Sequence, residues 1–257
     1  MTIRLHVEAP LASDARVVTT QPQAHYLKNV MRRAAGDEIL LFNGRDGEWR
    51  ARIETLDRKG CALAVVAQTR AQPDETGPVL LIAPIKRGPM EWLVEKATEL
   101  GVTDIRLVTT ERTNAERVKV ERLAAIAVEA AEQCGRLSVP DVHAPTALSA
   151  VLRDWPATEP LYLLDETGGV TSIADAMQDH PRKQRPGFLI GPEGGFAQAE
   201  LDAMKKLNFV TALGLGPRLL RAETAAVAAL SCFQALAGDW AEQPGRPPAR
   251  PAAAPQR

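Results

Sequence analysis

An α/β fold with a mostly parallel sheet, preceded by a small β-barrel-like domain, is what this 257-residue sequence predicts. Three observations carry the prediction. Beyond residue 78, apolar strand-like runs alternate with amphipathic helical segments, the pattern of βαβ units. Before residue 70 the chain instead shows short β-rich runs separated by turns. Finally, two late runs, Phe188–Ile190 and Thr211–Leu215, each break into a glycine-bearing loop and then a helix: Gly191-Pro192-Glu193-Gly194-Gly195-Phe196 and Gly216-Pro217-Arg218-Leu219-Leu220-Arg221-Ala222-Glu223-Thr224. Glycines and a proline at a strand's carboxyl end make a stiff loop poor in side chains, whose backbone groups can approach a flat ligand. Ligands of α/β proteins bind at such ends. Two such loops, close in sequence, point to one shared pocket.

The elements follow in order. Strands are expected at Ile3–Val7, Glu38–Phe42, Glu48–Ile53 and Cys61–Val66, with Asn43–Gly47 as a hairpin turn between two of them. The polar stretch 71–78 is rich in turn formers and reads as a linker, which sets a first domain at 1–72. A second domain, 73–242, opens with a strand at Val79–Ala83. Its first helix, Met90–Leu100, places Met90, Leu93, Val94, Ala97 and Leu100 on one stripe, and Gly101 sits where a C-cap is favoured. A strand at Ile105–Thr109 and a helix from Arg117 to Cys134 follow, the helix carrying a stripe of Leu123, Ile126, Ala127, Ala130 and Cys134. Strands at Leu161–Leu164, Phe188–Ile190 and Val210–Leu215 and helices at Ala197–Leu207 and Glu223–Ala237 complete the domain. The tail, 243–257, is dominated by Pro and Ala with three arginines and is expected to be disordered.

Apolar residues make up 45% of the chain, charged residues 25%, and the formal net charge is −1, which excludes a wholly basic nucleic-acid coat but not a local basic patch. Cys61, Cys134 and Cys232 lie far apart without Cys-x-x-Cys spacing, so neither a disulfide framework nor a zinc cluster is indicated. No signal-like amino terminus and no apolar run of spanning length is present, so the expected location is cytoplasmic, with no membrane. No metal is expected: Asp165-Glu166 has no accompanying ligand at suitable spacing and reads as strand-end solvation or a ribose contact. His143 and His180 are expected in surface loops.

Neither glycine loop has the lysine and hydroxyl of a phosphate-binding P-loop, and neither has the third glycine of a dinucleotide fingerprint. The segments Ile190–Phe196 and Leu215–Ala225, together with Glu95-Lys-Ala-Thr-Glu-Leu-Gly-Val102 and Glu129-Ala-Ala-Glu-Gln-Cys-Gly-Arg136, resemble the 16S ribosomal RNA uridine-N3 methyltransferase branch (RsmE type) of the SPOUT superfamily. In the first domain, His25-Tyr-Leu-Lys-Asn-Val-Met-Arg32 and Phe42-Asn-Gly44 are similar to that family's PUA-like RNA-binding module. The resemblance implies a trefoil-knotted SPOUT methyltransferase domain, S-adenosyl-L-methionine as cofactor, a homodimer, and 16S ribosomal RNA or the small ribosomal subunit as partner. By the same resemblance Leu164, Ile190, Gly191, Glu193, Gly195, Leu215, Gly216, Leu220 and Thr224 line the cofactor. One departure is that Ala197 stands where the family carries a helix-capping Ser, which is expected to loosen that helix start at a cost of about 1 kcal/mol.

From Ala15 to Gly36 the chain has no acidic residue, while residues 1–70 carry 11 Lys and Arg against 8 Asp and Glu. Arg16, His25, Lys28, Arg32 and Arg33 are therefore the RNA-binding candidates. Methylation of uridine N3 requires loss of an imide proton, and the charge that spreads onto the flanking carbonyl oxygens calls for a nearby cation. Arg136 and Arg221 are the candidates, with a salt bridge or helix-end contact as their alternative role. Glu132 or Glu223 is the candidate base, unless the proton passes to solvent. The alternative to an enzyme is a non-catalytic RNA-binding assembly factor of the same fold. A nucleotide-dependent, doubly wound enzyme has no fingerprint to support it.

Overall fold

The computed structural model describes residues 2–57, 60–113, 118–166, 170–181 and 184–241. Contacts divide the chain into two units, one ending at Gln72 and the other spanning Pro73–Ala241. The tail at 243–257 and the helix start expected at Arg117 lie outside the described residues.

In the smaller unit, β1 (Arg4–His6), β2 (Arg16–Val18), β3 (Glu38–Phe42), β4 (Glu48–Leu56) and β5 (Cys61–Arg70) form one sheet in the order β1-β3-β4-β5-β2. β1 pairs with β3 in parallel and the other pairs are antiparallel. β4 and β5 run beyond their expected ends because register shifts let two long strands twist while staying paired. The Asn43 side chain builds the hairpin turn. Its Oδ1 accepts the N–H groups of Arg45 and Asp46 at 3.1 and 2.9 Å, and its Nδ2 donates to Ala9 O at 3.0 Å. Leu5, Val17, Leu27, Ile39, Leu41, Ile53 and Leu63 fill the core. One buried carboxylate sits at its margin: Glu48 is 2% exposed, pairs with Arg4 at 2.8 Å and accepts Thr69 Oγ1–H at 2.9 Å. Those bonds are needed, since an unpaired buried carboxylate would cost several kcal/mol.

The larger unit is a sheet of seven parallel strands: β6 (Val79–Ile82), β7 (Asp104–Thr109), β8 (Asp141–Ala147), β9 (Leu161–Leu164), β10 (Thr171–Ser172), β11 (Gly187–Ile190) and β12 (Val210–Gly214). Their order across the sheet is β10-β12-β9-β11-β6-β7-β8. β11 thus enters between β9 and β6, and β12 between β9 and β10. Strand side chains alternate between two cores, as period-2 geometry requires. Leu80, Ile82, Ile105, Leu107, Tyr162, Phe188 and Leu213 pack beneath α2 (Arg87–Glu99), α3 (Val120–Cys134), α5 (Ile173–Gln178) and α7 (Ala222–Leu236). Val79, Leu81, Val108, Leu161, Leu163 and Leu189 face the other side, under α4 (Leu148–Asp154) and α6 (Gln198–Met204). Burial on both faces explains why these strands read as unbroken apolar runs. Across the surface of α2 and α3, Glu91 accepts bonds from Arg122 and Arg87, which hold its carboxyl down to about 2.

Two expectations are corrected. His143 lies in β8, an exposed edge strand, with Nε2 3.0 Å from Asp104 Oδ1. His180 is no surface residue: it is 5% exposed and packs edge-on against Tyr162 and Phe233. Its Nε2 faces the carbonyl of Gln184 at 3.0 Å and so must donate, which leaves Nδ1 to accept the Tyr162 hydroxyl at 2.8 Å. A helical turn and a short loop after Ile173 carry it inward, which no local pattern announces.

Burial pushes the His180 pKa below its ordinary 6.5. The unfolded chain therefore takes up the proton more readily than the folded one, and stability is lost as pH falls below about 6.5. Replacing His180 with Gln is expected to flatten the fall in thermal midpoint between pH 7 and 5. An unchanged slope would remove His180 as its cause.

Candidate active site

Parallel register sets the carboxyl ends of β9, β11 and β12 side by side, with Leu163 opposite Leu189 and Leu164 opposite Leu213. The Asp165 N–H donates to Leu213 O at 2.9 Å and carries this pairing one residue further. Leu164, Ile190 and Leu215 consequently finish at one edge of the sheet. Beyond them the chain turns away through Gly191–Gly195 and Gly216–Leu220. A Cβ on Gly191 would lie 2.7 Å from the Phe196 ring, so no side chain fits there without displacing that ring. Gly216 has φ +90°, the left-handed region, with nothing within 4 Å of a Cβ position. Glu193 is exposed, and the Glu166 carboxylate approaches Gly195, lying 3.6 Å from its Cβ position. Leu220 is half-buried and Thr224 exposed, on either side of the start of α7, whose N-cap is Arg221. All nine residues expected to line a cofactor thus come from one edge of three neighbouring strands. Asp165 is 7% exposed and pairs with Lys205 at 2.7 Å, a structural tie from β9 to the end of α6.

The helix start at Ala197 lacks a side-chain cap but keeps the reciprocal bond. Glu200 Oε2 accepts the Ala197 N–H at 3.0 Å, which supplies half of a capping box without the missing hydroxyl. Its other oxygen accepts the Glu111 N–H at 2.9 Å, and Arg112 Nη1 donates to Gly194 O at 3.1 Å. The segment after β7 is thereby joined to the loop after β11.

Of the four candidate catalytic residues, Arg221 and Glu223 stand at this edge, at the start of α7. Arg136 follows α3, which returns from the carboxyl end of β7 to the amino end of β8, and so it lies at the opposite edge. There Nη1 donates to Thr98 O and Val102 O at 2.9 and 2.7 Å, while Nη2 bonds Glu75 at 3.1 Å and Ser138 at 2.9 Å. This is a clamp on the entry to β7, so within one chain Arg136 does not reach the cofactor edge. Glu132, in the last turn of α3, is drawn away with it. The amino edge also holds Asp104, Asp141 and His143, whose ligand-type atoms lie within 4.8 Å of one another. Positive charge is already supplied there by Arg185, which bonds Asp104, and by Arg106 at 3.9 Å. Burial pushes the Asp104 pKa up, but bonds from His143 and Arg185 outweigh it and hold the carboxyl below its ordinary range.

In the smaller unit, α1 (Gln21–His25) begins on a capping box formed by Thr20 and Gln23 and continues into a single π-helical turn, Tyr26–Val30. The turn buries Leu27 and leaves His25, Lys28 and Asn29 outward. His25 and Lys28 line an open groove of about 670 Å³ with Gln21, Pro22, Asn29, Asp57 and Gly60. Single π-turns are frequent at functional sites. Arg32 follows directly, exposed, at φ +52°. Arg33 is half-buried, and Arg16 pairs with Glu54 at 2.9 Å on the far strands. Two residues at the larger unit's carboxyl edge escape the sequence reading, Lys86 after β6 and Arg112 after β7. A cation just past a strand's carboxyl end was the available sign.

A seven-stranded parallel sheet with glycine-bearing loops at one edge follows a smaller β unit, and two family models give this arrangement its class, an RNA methyltransferase with a PUA domain. The family model described as "RNA methyltransferase domain" matches residues 74–234, and that described as "RNA methyltransferase PUA domain" matches 19–66. A ribosomal RNA small subunit methyltransferase E of a Synechocystis species is 33% identical over 92% of this chain and 78% of its own. That of Rickettsia conorii is 27% identical over 91% and 95%. The crystal structure of the Neisseria gonorrhoeae methyltransferase E bound to S-adenosyl methionine superposes with a TM-score of 0.83 at 26% identity, covering 93% of this chain and 100% of that one. The chain belongs to the ribosomal RNA small subunit methyltransferase E family.

Replacing Arg136 with Ala removes charge-assisted bonds to two backbone carbonyls and is expected to cost about 2–3 kcal/mol of stability, read from the urea midpoint. Ligand affinity at the carboxyl edge should not change. A stable variant would show that the clamp is not needed.

Proposed function

We propose that this protein methylates N3 of a specific uridine in 16S ribosomal RNA of the small subunit, with S-adenosyl-L-methionine as donor. The observation that carries the reading is the convergence of Leu164, Ile190, Gly191, Leu215 and Gly216 at one sheet edge in a member of this family. The donor fits these residues. Its adenosine needs an apolar slot with backbone donors and acceptors rather than charges, and the leucines and Ile190 provide one beside loops that Gly191 and Gly216 keep bare. Glu193, Gly195, Leu220 and Thr224 complete the lining. When bound, the donor supplies a methyl group already activated on a sulfonium, so positioning should account for much of the acceleration.

What the chain must add is a way to hold the base as its imide proton leaves. Arg221, exposed at the start of α7 beside the second loop, is the cation placed to stabilise charge on the uracil oxygens. Glu223, in the first turn of α7, is the nearest carboxylate in sequence; otherwise the proton passes to solvent. His25, Lys28 and Arg32 serve the RNA through the smaller unit. Leu219 and Trp240, at 77% and 55% exposure, flank α7 and support a homodimer. The trefoil knot and a cytoplasmic location complete the proposal. No helix among the described residues is long and apolar enough to cross a membrane.

Calorimetry is expected to register binding of S-adenosylmethionine to the pure protein, and Gly191→Val should weaken it at least about tenfold, or ~1.4 kcal/mol. In ribosomal RNA from cells lacking the protein, mass mapping should show loss of one methyl on one uridine. An unchanged pattern would overturn the substrate assignment. A monomeric mass at micromolar concentration would overturn the dimer.

A further inference from the structure

We infer that a cleft on the far side of the Gly191–Gly195 loop is the seat of an RNA backbone phosphate, gripped by Lys86 and Arg112. The inference rests on the methyltransferase reading above and extends it to the acceptor. The cleft is lined by Pro84, Ile85, Lys86, Arg112 and the loop residues Pro192–Gly194, and its volume is about 60 Å³. Ligand pockets run to roughly 300–1,000 Å³, so this one is too small for a nucleoside and suits a single anionic group.

Strand order sets the cleft beside the cofactor residues, with Glu193 common to both. The cofactor residues follow β9, β11 and β12, whereas the cleft is walled by the segments after β6, β7 and β11. β11 lies between the two sets, so its loop is shared, with the donor's residues on one side and the two cations on the other. A transfer reaction needs its acceptor beside its donor, and the shared loop meets that demand.

The cations are available and one of them is aimed. Lys86 and Arg112 are both exposed, and among the described residues neither makes an ion pair. Neighbouring Arg87 differs, since it pairs with Glu91 at 2.7 Å. Arg112 uses one N–H on Gly194 O, which orients the fork and leaves its other donors for an oxyanion. Glu200 supports that geometry from behind by accepting the N–H of Glu111, the residue before Arg112. Glu193 lines the same cleft, so the local charge is two cations against one carboxylate. Glu200 is therefore a positioning residue for Arg112.

The test compares wild type with Lys86→Ala, Arg112→Ala and Arg112→Lys in two measurements. Affinity for 16S RNA lacking the modification is followed against salt, and S-adenosylmethionine affinity is followed by calorimetry. Each alanine variant is expected to weaken RNA binding several-fold and to lower the salt slope by about one, the signature of a lost phosphate contact. Arg112→Lys should keep the slope while losing part of the affinity. S-adenosylmethionine affinity should stay within about twofold in Lys86→Ala, which removes no bond to the cofactor loop, and this also shows that the variant folds. Unchanged RNA affinity and slope would overturn the phosphate seat. So would a loss of S-adenosylmethionine affinity in Lys86→Ala, because the cleft would then hold the donor's carboxylate. If wild type binds no S-adenosylmethionine, the methyltransferase reading fails instead, and the RNA measurement still decides the cleft.

Discussion

Parallel pairing of all seven strands is the constraint from which the larger unit follows. Every strand delivers its chain to the same edge, and the connections, apart from the short one from β9 to β10, cross a face to begin the next strand at the other. The crossings place α2, α3, α5 and α7 on one face and α4 and α6 on the other, so the strands are buried twice over. The same constraint divides the unit's polar chemistry in two. Loops leaving strands gather at the carboxyl edge, and segments entering strands gather at the amino edge. Because β11 and β12 enter gaps beside β9, the glycine loops after them become neighbours of the turn after β9.

Much of this was legible in the residues. Burial on both faces makes β6, β9 and β11 continuous apolar runs, and the stripe of α2 meets the sheet as its spacing requires. The two glycine loops were legible because glycines and a proline at a strand's carboxyl end mark a turn, and parallel pairing sets both loops at one edge. Elements without a buried stripe were not. β8 is an exposed edge strand interrupted by Pro145, with no alternation to betray it. The π-helical turn after His25 depends on how Leu27 reaches the smaller core, a tertiary fact. His180 was misjudged for the same reason, since its ring neighbours Tyr162 and Phe233 come from two other elements.

Arg136 shows where motif reasoning and geometry part. Its segment closes a helix that ends at the amino edge, and the carbonyls of Thr98 and Val102 have a guanidinium as their partner there. A sequence can show that an arginine stands in a motif, but which edge it reaches depends on the direction of the preceding helix. Ala197 makes the converse point. The absent hydroxyl removes the cap bond to the first turn, yet Glu200, three residues on, takes the Ala197 N–H and with its second oxygen holds the segment after β7. A missing hydroxyl thus removes one of the two bonds of a capping box and leaves the other in place.

The two edges also resolve an apparent conflict between a net charge of −1 and a nucleic-acid substrate. At the amino edge arginines are matched within the fold: Arg136 with Glu75, and Arg185 with Asp104. Such pairs add nothing to the field that an approaching polyanion meets beyond a Debye length of about 8–10 Å. At the carboxyl edge Lys86, Arg112 and Arg221 are exposed and, among the described residues, make no ion pair. Because RNA affinity depends on the cations that can replace counterions at phosphates, a net charge of −1 summed over the chain does not conflict with unmatched cations at one edge.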